Sequence, residues 1–133
     1  MAEFDKVQDH GGKRELSETG GEREAPTGKG RFDLIPPYPI YRLARHYEAG
    51  SLKYSPRNWQ NGLPLARFIE SAYRHLNQFM DSERSEDHLA AVLWNIAGYI
   101  HTEREILEGR LPATLMDVPW PVSTPEPMAV EDE

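Results

Sequence analysis

The sequence predicts an all-α fold: a compact bundle of three main helices per chain, completed by oligomerisation. Two long runs place apolar residues at three- and four-residue spacing, the pattern of an amphipathic helix. No stretch alternates with a period of two, so strands have no support. Pro and Gly punctuate the runs where helices start and stop.

The first helix starts after Pro36-Pro37, carries Ile40, Leu43, Ala44 and Tyr47 on one face, and stops at Gly50. Leu52 to Leu63, with Ser55-Pro56 and Asn61-Gly62, reads as an ordered loop. The second helix opens at Pro64 with a stripe of Leu65, Phe68, Ile69, Ala72, Leu76, Phe79 and Met80. The third runs from Ser85, read as its N-cap, to Gly109, with Leu89, Val92, Leu93, Ile96, Ile100 and Leu107 as its stripe. That helix is apolar on more than one face. Three helices alone do not bury it on every side, and a core of about 80 residues supplies only a few kcal/mol, so a homo-oligomer, dimer or tetramer, is expected.

Around this core lie two segments of different character. Residues 1–31 are rich in Gly, Glu, Lys and Arg, and residues 1–18 read as a flexible N-terminal segment. Residues 19–111 form the expected all-α domain. Residues 112–133 contain five prolines and end in acids, which reads as an extended strap carrying Trp120, followed by a disordered end.

The chain has 15 Lys+Arg against 22 Asp+Glu, a net charge of −7. Residues 112–133 hold five of those acids and no base, so the core is almost neutral. Duplex nucleic-acid binding loses support, because counterion release needs a basic face. No apolar run approaches the ~20 residues of a membrane span, and no signal peptide opens the chain. Zero cysteines exclude disulfides and thiolate sites. A cytoplasmic protein is expected.

Polar residues recur in apolar places. Helix two carries Glu70, Arg74 and His75; helix three carries Asp87, His88 and Asn95. If the two pack antiparallel, these six side chains meet between them. Each also has a structural reading. His75 suits a satisfied core histidine, Glu70–Arg74 a surface i,i+4 pair, Asp87 the positive end of a helix dipole, and Asn95 a pin of helix register. In the loop, Lys53, Tyr54, Arg57 and Trp59 suit a phosphate grip beside a base-stacking platform, or else a cap over the core. Gly28-Lys29-Gly30-Arg31 is not a phosphate loop, because the Gly-x4-Gly-Lys-Ser/Thr pattern is absent.

Taken together, the motifs resemble a known family. They are Gly28-Lys29-Gly30-Arg31-Phe32-Asp33-Leu34-Ile35-Pro36-Pro37, Leu43-Ala44-Arg45-His46-Tyr47, Gly50, Lys53-Tyr54, Arg57-Asn58-Trp59 and Gly62. Ser71-Ala72-Tyr73-Arg74-His75-Leu76 and Asp87-His88-Leu89-Ala90-Ala91-Val92-Leu93-Trp94-Asn95 follow, and Thr19-Gly20-Gly21-Glu22-Arg23-Glu24 precedes them. Their order and spacing are similar to the phage-type dATP/dGTP diphosphohydrolase domain, an all-α relative of the MazG-like nucleotide pyrophosphohydrolases.

The resemblance implies hydrolysis of purine deoxynucleoside triphosphates to monophosphate and pyrophosphate, with Mg²⁺, or Mn²⁺ in its place, as cofactor. It implies a role in phage nucleotide pools, in the cytoplasm of the infected host. Carried over, Lys29, Arg31, Lys53, Arg57 and Arg74 become phosphate ligands, and Tyr54 and Trp59 flank the base. His75, Asp87, His88 and Asn95 line the reacting centre, with Asp87 and Glu70 on the metal. The relatives hold magnesium with a Glu-x-x-Glu pair on one helix and a Glu-x-x-Asp pair on the next. Here Glu83-x-x-Glu86 and Glu105-x-x-Glu108 have that spacing but fall at a helix approach and a helix end. The alternative is a non-catalytic phage protein that sequesters a nucleotide or a nucleotide-derived signal.

Overall fold

The computed structural model describes residues 13–120, in two units, one ending at Ile35 and one beginning at Pro36. In the first unit, Arg14–Leu16 (β1) and Glu22–Glu24 (β2) form an antiparallel hairpin that pairs Arg14 with Glu24 and Leu16 with Glu22. Ser17 closes its turn: its N–H donates to the Gly21 carbonyl at 2.9 Å and its hydroxyl accepts the Gly21 N–H at 3.0 Å. Period-two patterning missed this hairpin because each strand has three residues, too few to show alternation. β1 falls inside the stretch expected to be flexible; residues 1–12 lie outside the described residues.

The second unit is all-α. Helix α1 spans Pro37–Lys53, α2 spans Leu65–Met80 and α3 spans His88–Leu107. Pro36 precedes α1, with Pro37 at its first position, where a missing N–H costs nothing. The helix does not stop at Gly50 as expected but continues to Lys53, and the Tyr54 N–H still reaches the Gly50 carbonyl at 2.8 Å. Pro56 sets the stop instead, since the residue before a proline is driven out of helical conformation. The following segment makes a 3₁₀ turn at Asn58–Asn61.

At the start of α2 the Ala66 N–H donates to the Asp117 carboxylate at 3.0 Å, so an acid 51 residues away satisfies a helix N-terminus. The N-cap of α3 is Asp87 rather than Ser85: its carboxylate accepts the Ala90 N–H at 3.1 Å. Ser85 is occupied otherwise, its N–H donating to Glu83 at 2.6 Å. The far end of α3 closes on Gly109, whose left-handed φ of 78° lets its N–H return to the Ile106 carbonyl at 3.0 Å.

Helix α3 packs against both α2 and α1. Its buried face is His88, Ala91, Asn95, Gly98, Thr102 and Ile106, a row of mostly small side chains. The Phe68 ring of α2 lies against this row at Gly98, where an added Cβ would come within 2.5 Å of it. The predicted apolar stripe is therefore not the face that α3 buries within the chain. Leu93, Ile96, Ile100 and Leu107 are exposed, because small residues admit a neighbouring helix closer than Leu or Ile would. In α1 the inward face is Arg42, Leu43, His46, Tyr47 and Gly50, while Ile40 and Ala44 stay exposed.

The core centres on Leu65, Phe68 and Ile106, with Trp94, Tyr99, Leu111, Leu115, Met116 and Val118 packed around it. The chain after Gly109 thus folds back over the bundle, and the Trp120 indole N–H donates to the Tyr99 hydroxyl at 3.0 Å. The disordered end expected beyond it, residues 121–133, lies outside the described residues. Among the described residues, no helix is long and apolar enough to cross a membrane.

Candidate functional site

Two antiparallel helices set the site. Phe68 meets Gly98 at one level, and one turn-pair further along α2, His75 meets His88 at the first residue of α3. The imidazole Nδ1 atoms of His75 and His88 are 2.9 Å apart. Glu86, in the turn before α3, brings a carboxylate oxygen to 3.2 Å from His75 Nδ1 and 3.3 Å from His88 Nδ1. His88 Nε2 is hydrogen-bonded to the Glu83 carboxylate. These side chains form a gradient of exposure: His88 is fully buried, His75 mostly so, and Glu86 is 57% exposed.

The electrostatics follow from this packing. Burial pushes His75 below the usual imidazole value, and the neighbouring Glu86 only partly opposes it. The Ser85 hydroxyl and N–H, and then His88, hold Glu83 down at about 2. Half-buried His46 of α1 lies 6.1 Å from the Trp94 ring and is likewise lowered by desolvation. Its nearby charges are Glu86 and Asp87, so a third imidazole belongs to this end of the bundle.

Asp87 has two structural duties. Besides capping α3, it takes a bidentate pair from Arg42 of α1, at 2.8 and 2.5 Å. Arg42, foremost among the causes, lowers its carboxyl to about 2. Glu70 lies on the exposed face of α2, paired with Arg74 at 3.2 Å. The expected metal pair, Glu70 and Asp87, is thus engaged by two arginines rather than gathered into one donor set. Among the described residues, the group whose ligand atoms converge is His75, Glu86 and His88, an arrangement compatible with a metal site. Asn95 is buried, and its amide donates to the Ala91 carbonyl of its own helix at 2.8 Å.

The loop constellation sits elsewhere on α3. Trp59 packs edge-on against His101 at 5.0 Å and against Tyr47 at 6.4 Å. Lys53 Nζ lies 5.3 Å from the centroid of the exposed Tyr54 ring, and Arg57 is exposed. His101 is thirteen residues from His88, about 20 Å along the helix axis. Within one chain this places Trp59, the packed residue of the loop, well away from the histidine pair. Lys29 and Arg31 belong to the N-terminal unit, where Lys29 pairs with Glu24 at 3.0 Å and Arg31 makes a bidentate pair with Asp33.

Sequence reasoning missed Arg42, Glu83 and Glu86 as members of the site. The Glu83-x-x-Glu86 spacing is a usable signal, but Glu105-x-x-Glu108 shares it, and spacing alone does not choose between them. That turn folds both carboxylates back over His88, with Ser82 at a left-handed φ of 64°. No local signal links Arg42 to an acid 45 residues away.

No curated protein and no solved structure matches the chain. The family described as dATP/dGTP diphosphohydrolase, N-terminal, matches residues 19–108, two thirds of the chain and all three helices, and the chain belongs to that family.

Proposed function

We propose that this protein hydrolyses purine deoxynucleoside triphosphates, dATP or dGTP, to monophosphate and pyrophosphate, with the end of the bundle at His75, Asp87 and His88 as the reacting centre. One observation carries the reading: in a chain of this family, α2 and α3 converge two imidazoles and a carboxylate at a partly open edge. Arg74 lies beside His75 in the chain and offers its guanidinium to a phosphate once Glu70 releases it. His75, kept neutral by burial, presents a lone pair, and Glu86 adds a negative charge next to it. Asn95, one turn-pair below, fixes the helix beneath them. A divalent cation, Mg²⁺ or Mn²⁺, neutralises triphosphate charge and acidifies a water when bound. Glu70 and Asp87 reach such a cation only by exchanging their arginine partners.

Lys53, Arg57, Tyr54 and Trp59 bind phosphate and base in this proposal, as do Lys29 and Arg31 for phosphate. The loop lies about 20 Å from the histidines within one chain. A homo-oligomer that pairs α3 helices antiparallel brings one chain's loop to another chain's reacting end, so the oligomer is part of the proposal. Nucleotide-pool control in a phage-infected cell is the corresponding role.

The test is a chromatographic product assay with each dNTP and NTP, in Mg²⁺ and in Mn²⁺. Monophosphate and pyrophosphate from a purine deoxynucleotide are expected. The shortage of uncommitted carboxylates favours one other reading, a nucleotide-sequestering protein. Tight binding without product across that panel would establish it instead.

A further inference from the structure

The donor chemistry of the convergent cluster says more than that a cation fits. The three edges of the His75–His88–Glu86 triangle are 2.9, 3.2 and 3.3 Å. With metal–ligand bonds of about 2.1 Å, atoms sharing an octahedral face lie about 3.0 Å apart, and those of a tetrahedron about 3.4 Å. Two of the observed edges fall between these and the 2.9 Å edge is close to the octahedral value, so one ion can bond to all three atoms with small adjustments.

The hydrogen bond on the other side of His88 strengthens this. An ionised Glu83 accepts only, so His88 Nε2 carries the proton and donates to it. In that tautomer Nδ1 keeps its lone pair, on a side chain 1% exposed. That lone pair faces a second imidazole nitrogen and a carboxylate oxygen, two further electron-rich atoms. Without an ion, a proton on His75 Nδ1 bridges to it. A bound ion would be held by Nδ1 of His75, in its Nε2–H tautomer, by Nδ1 of His88 and by the Glu86 carboxylate. A carboxylate behind a ligating imidazole is the usual support for that ligand, fixing its tautomer and raising its basicity.

Two nitrogens and one oxygen do not suit Mg²⁺, which prefers oxygen and keeps its waters. Imidazole suits first-row transition ions. We propose that His75, Glu86 and His88 form a transition-metal site, supported by Glu83, that takes Zn²⁺ or Co²⁺ ahead of Mn²⁺ and rejects Mg²⁺. The exposed Glu86 gives the ion a route in and leaves coordination positions for water. The site goes beyond the hydrolytic reading and stands whether or not nucleotide is turned over.

The test uses the full chain, freed of metal by chelation and dialysis and without nucleotide. Calorimetric titration with Zn²⁺, Co²⁺, Mn²⁺ and Mg²⁺ should give one Zn²⁺ or Co²⁺ per chain at micromolar or tighter affinity, weaker Mn²⁺ binding and no Mg²⁺ binding at millimolar concentration. Bound Co²⁺ should show visible ligand-field bands. Glu86→Gln should weaken binding at least tenfold, His75→Ala should abolish it, and Glu48→Gln, on the exposed face of α1, should change nothing. His75 and Glu86 are not fully buried, so both variants should stay folded; thermal melts check this. The proposal is overturned by Mg²⁺ binding as tightly as Zn²⁺, by no binding at all, or by folded Glu86→Gln and His75→Ala variants that bind like the parent. Purine hydrolysis without transition-metal binding would remove this site and leave the proposed function standing. Metal binding without hydrolysis would do the reverse.

Discussion

Asp87 carries a cap, an ion pair and a place in the proposed reacting centre at once, and substitution separates these. Asp87→Ala removes both contacts and should destabilise the fold by about 1–2 kcal/mol, the usual cost of a lost N-cap. Asp87→Ser keeps a capping oxygen and should recover most of that stability while losing the Arg42 pair. If Asp87 serves the reaction, both variants lose turnover; a fully active Asp87→Ser would reduce it to a cap. The histidines make a different prediction. Burial lowers His75 and His46 below the usual imidazole value, so the unfolded chain takes up protons that the folded chain resists. Their contribution is complete above that value and is lost as pH falls through it toward the folded values. Urea midpoints of metal-free protein should fall between pH 7.5 and 5.5, and His75→Gln should flatten that slope. A midpoint that rises on acidification would contradict the assignment.

Helix α3 is where sequence and structure diverge most instructively. Its existence and its end at Gly109 are legible from spacing, as is the buried face of α2, where Leu65, Phe68 and Ala72 recur and do become buried; the antiparallel pairing enters only as a condition. Its own packing face is not legible that way. Hydrophobicity favours Leu93, Ile96 and Ile100, yet close approach of α2 selects Ala91, Gly98 and Thr102. Gly98→Ala tests that reason: it gains helix propensity but drives a methyl into the buried Phe68 ring. Overpacking of this kind costs about 1–3 kcal/mol, so a net loss of stability is predicted in chemical denaturation. A stabilised Gly98→Ala would show that the α2–α3 contact yields more readily than the 2.5 Å approach to Phe68 implies. The candidate site was half legible for a similar reason. His75 and His88 stand in helices, where spacing speaks. Glu83, Glu86 and Arg42 act through a turn and a long-range pair, where it is silent.

For the whole molecule, exposed Leu76, Met80, Leu93, Ile96, Ile100 and Leu107 form apolar surface on the two principal helices. Large exposed apolar patches mark interaction sites. Light scattering coupled to gel filtration should give a multiple of the 15.2 kDa chain mass, and Ile96→Glu should lower it. A monomer at micromolar concentration would remove the shared-site arrangement, since a loop about 20 Å away along α3 would then have no route to the histidines. In the N-terminal unit, Lys29 and Arg31 pair with Glu24 and Asp33 of that same unit.

The central claim is that nucleotide chemistry happens at the His75–Glu86–His88 end. The most direct measurement is pyrophosphate release from dATP and dGTP by the parent chain and by Glu86→Gln, at matched folded concentration. Release by the parent is expected, with a loss of at least 100-fold in Glu86→Gln at an unchanged melting temperature, about 2.7 kcal/mol of transition-state stabilisation. Equal rates in the two proteins would contradict it and move the chemistry elsewhere on the chain.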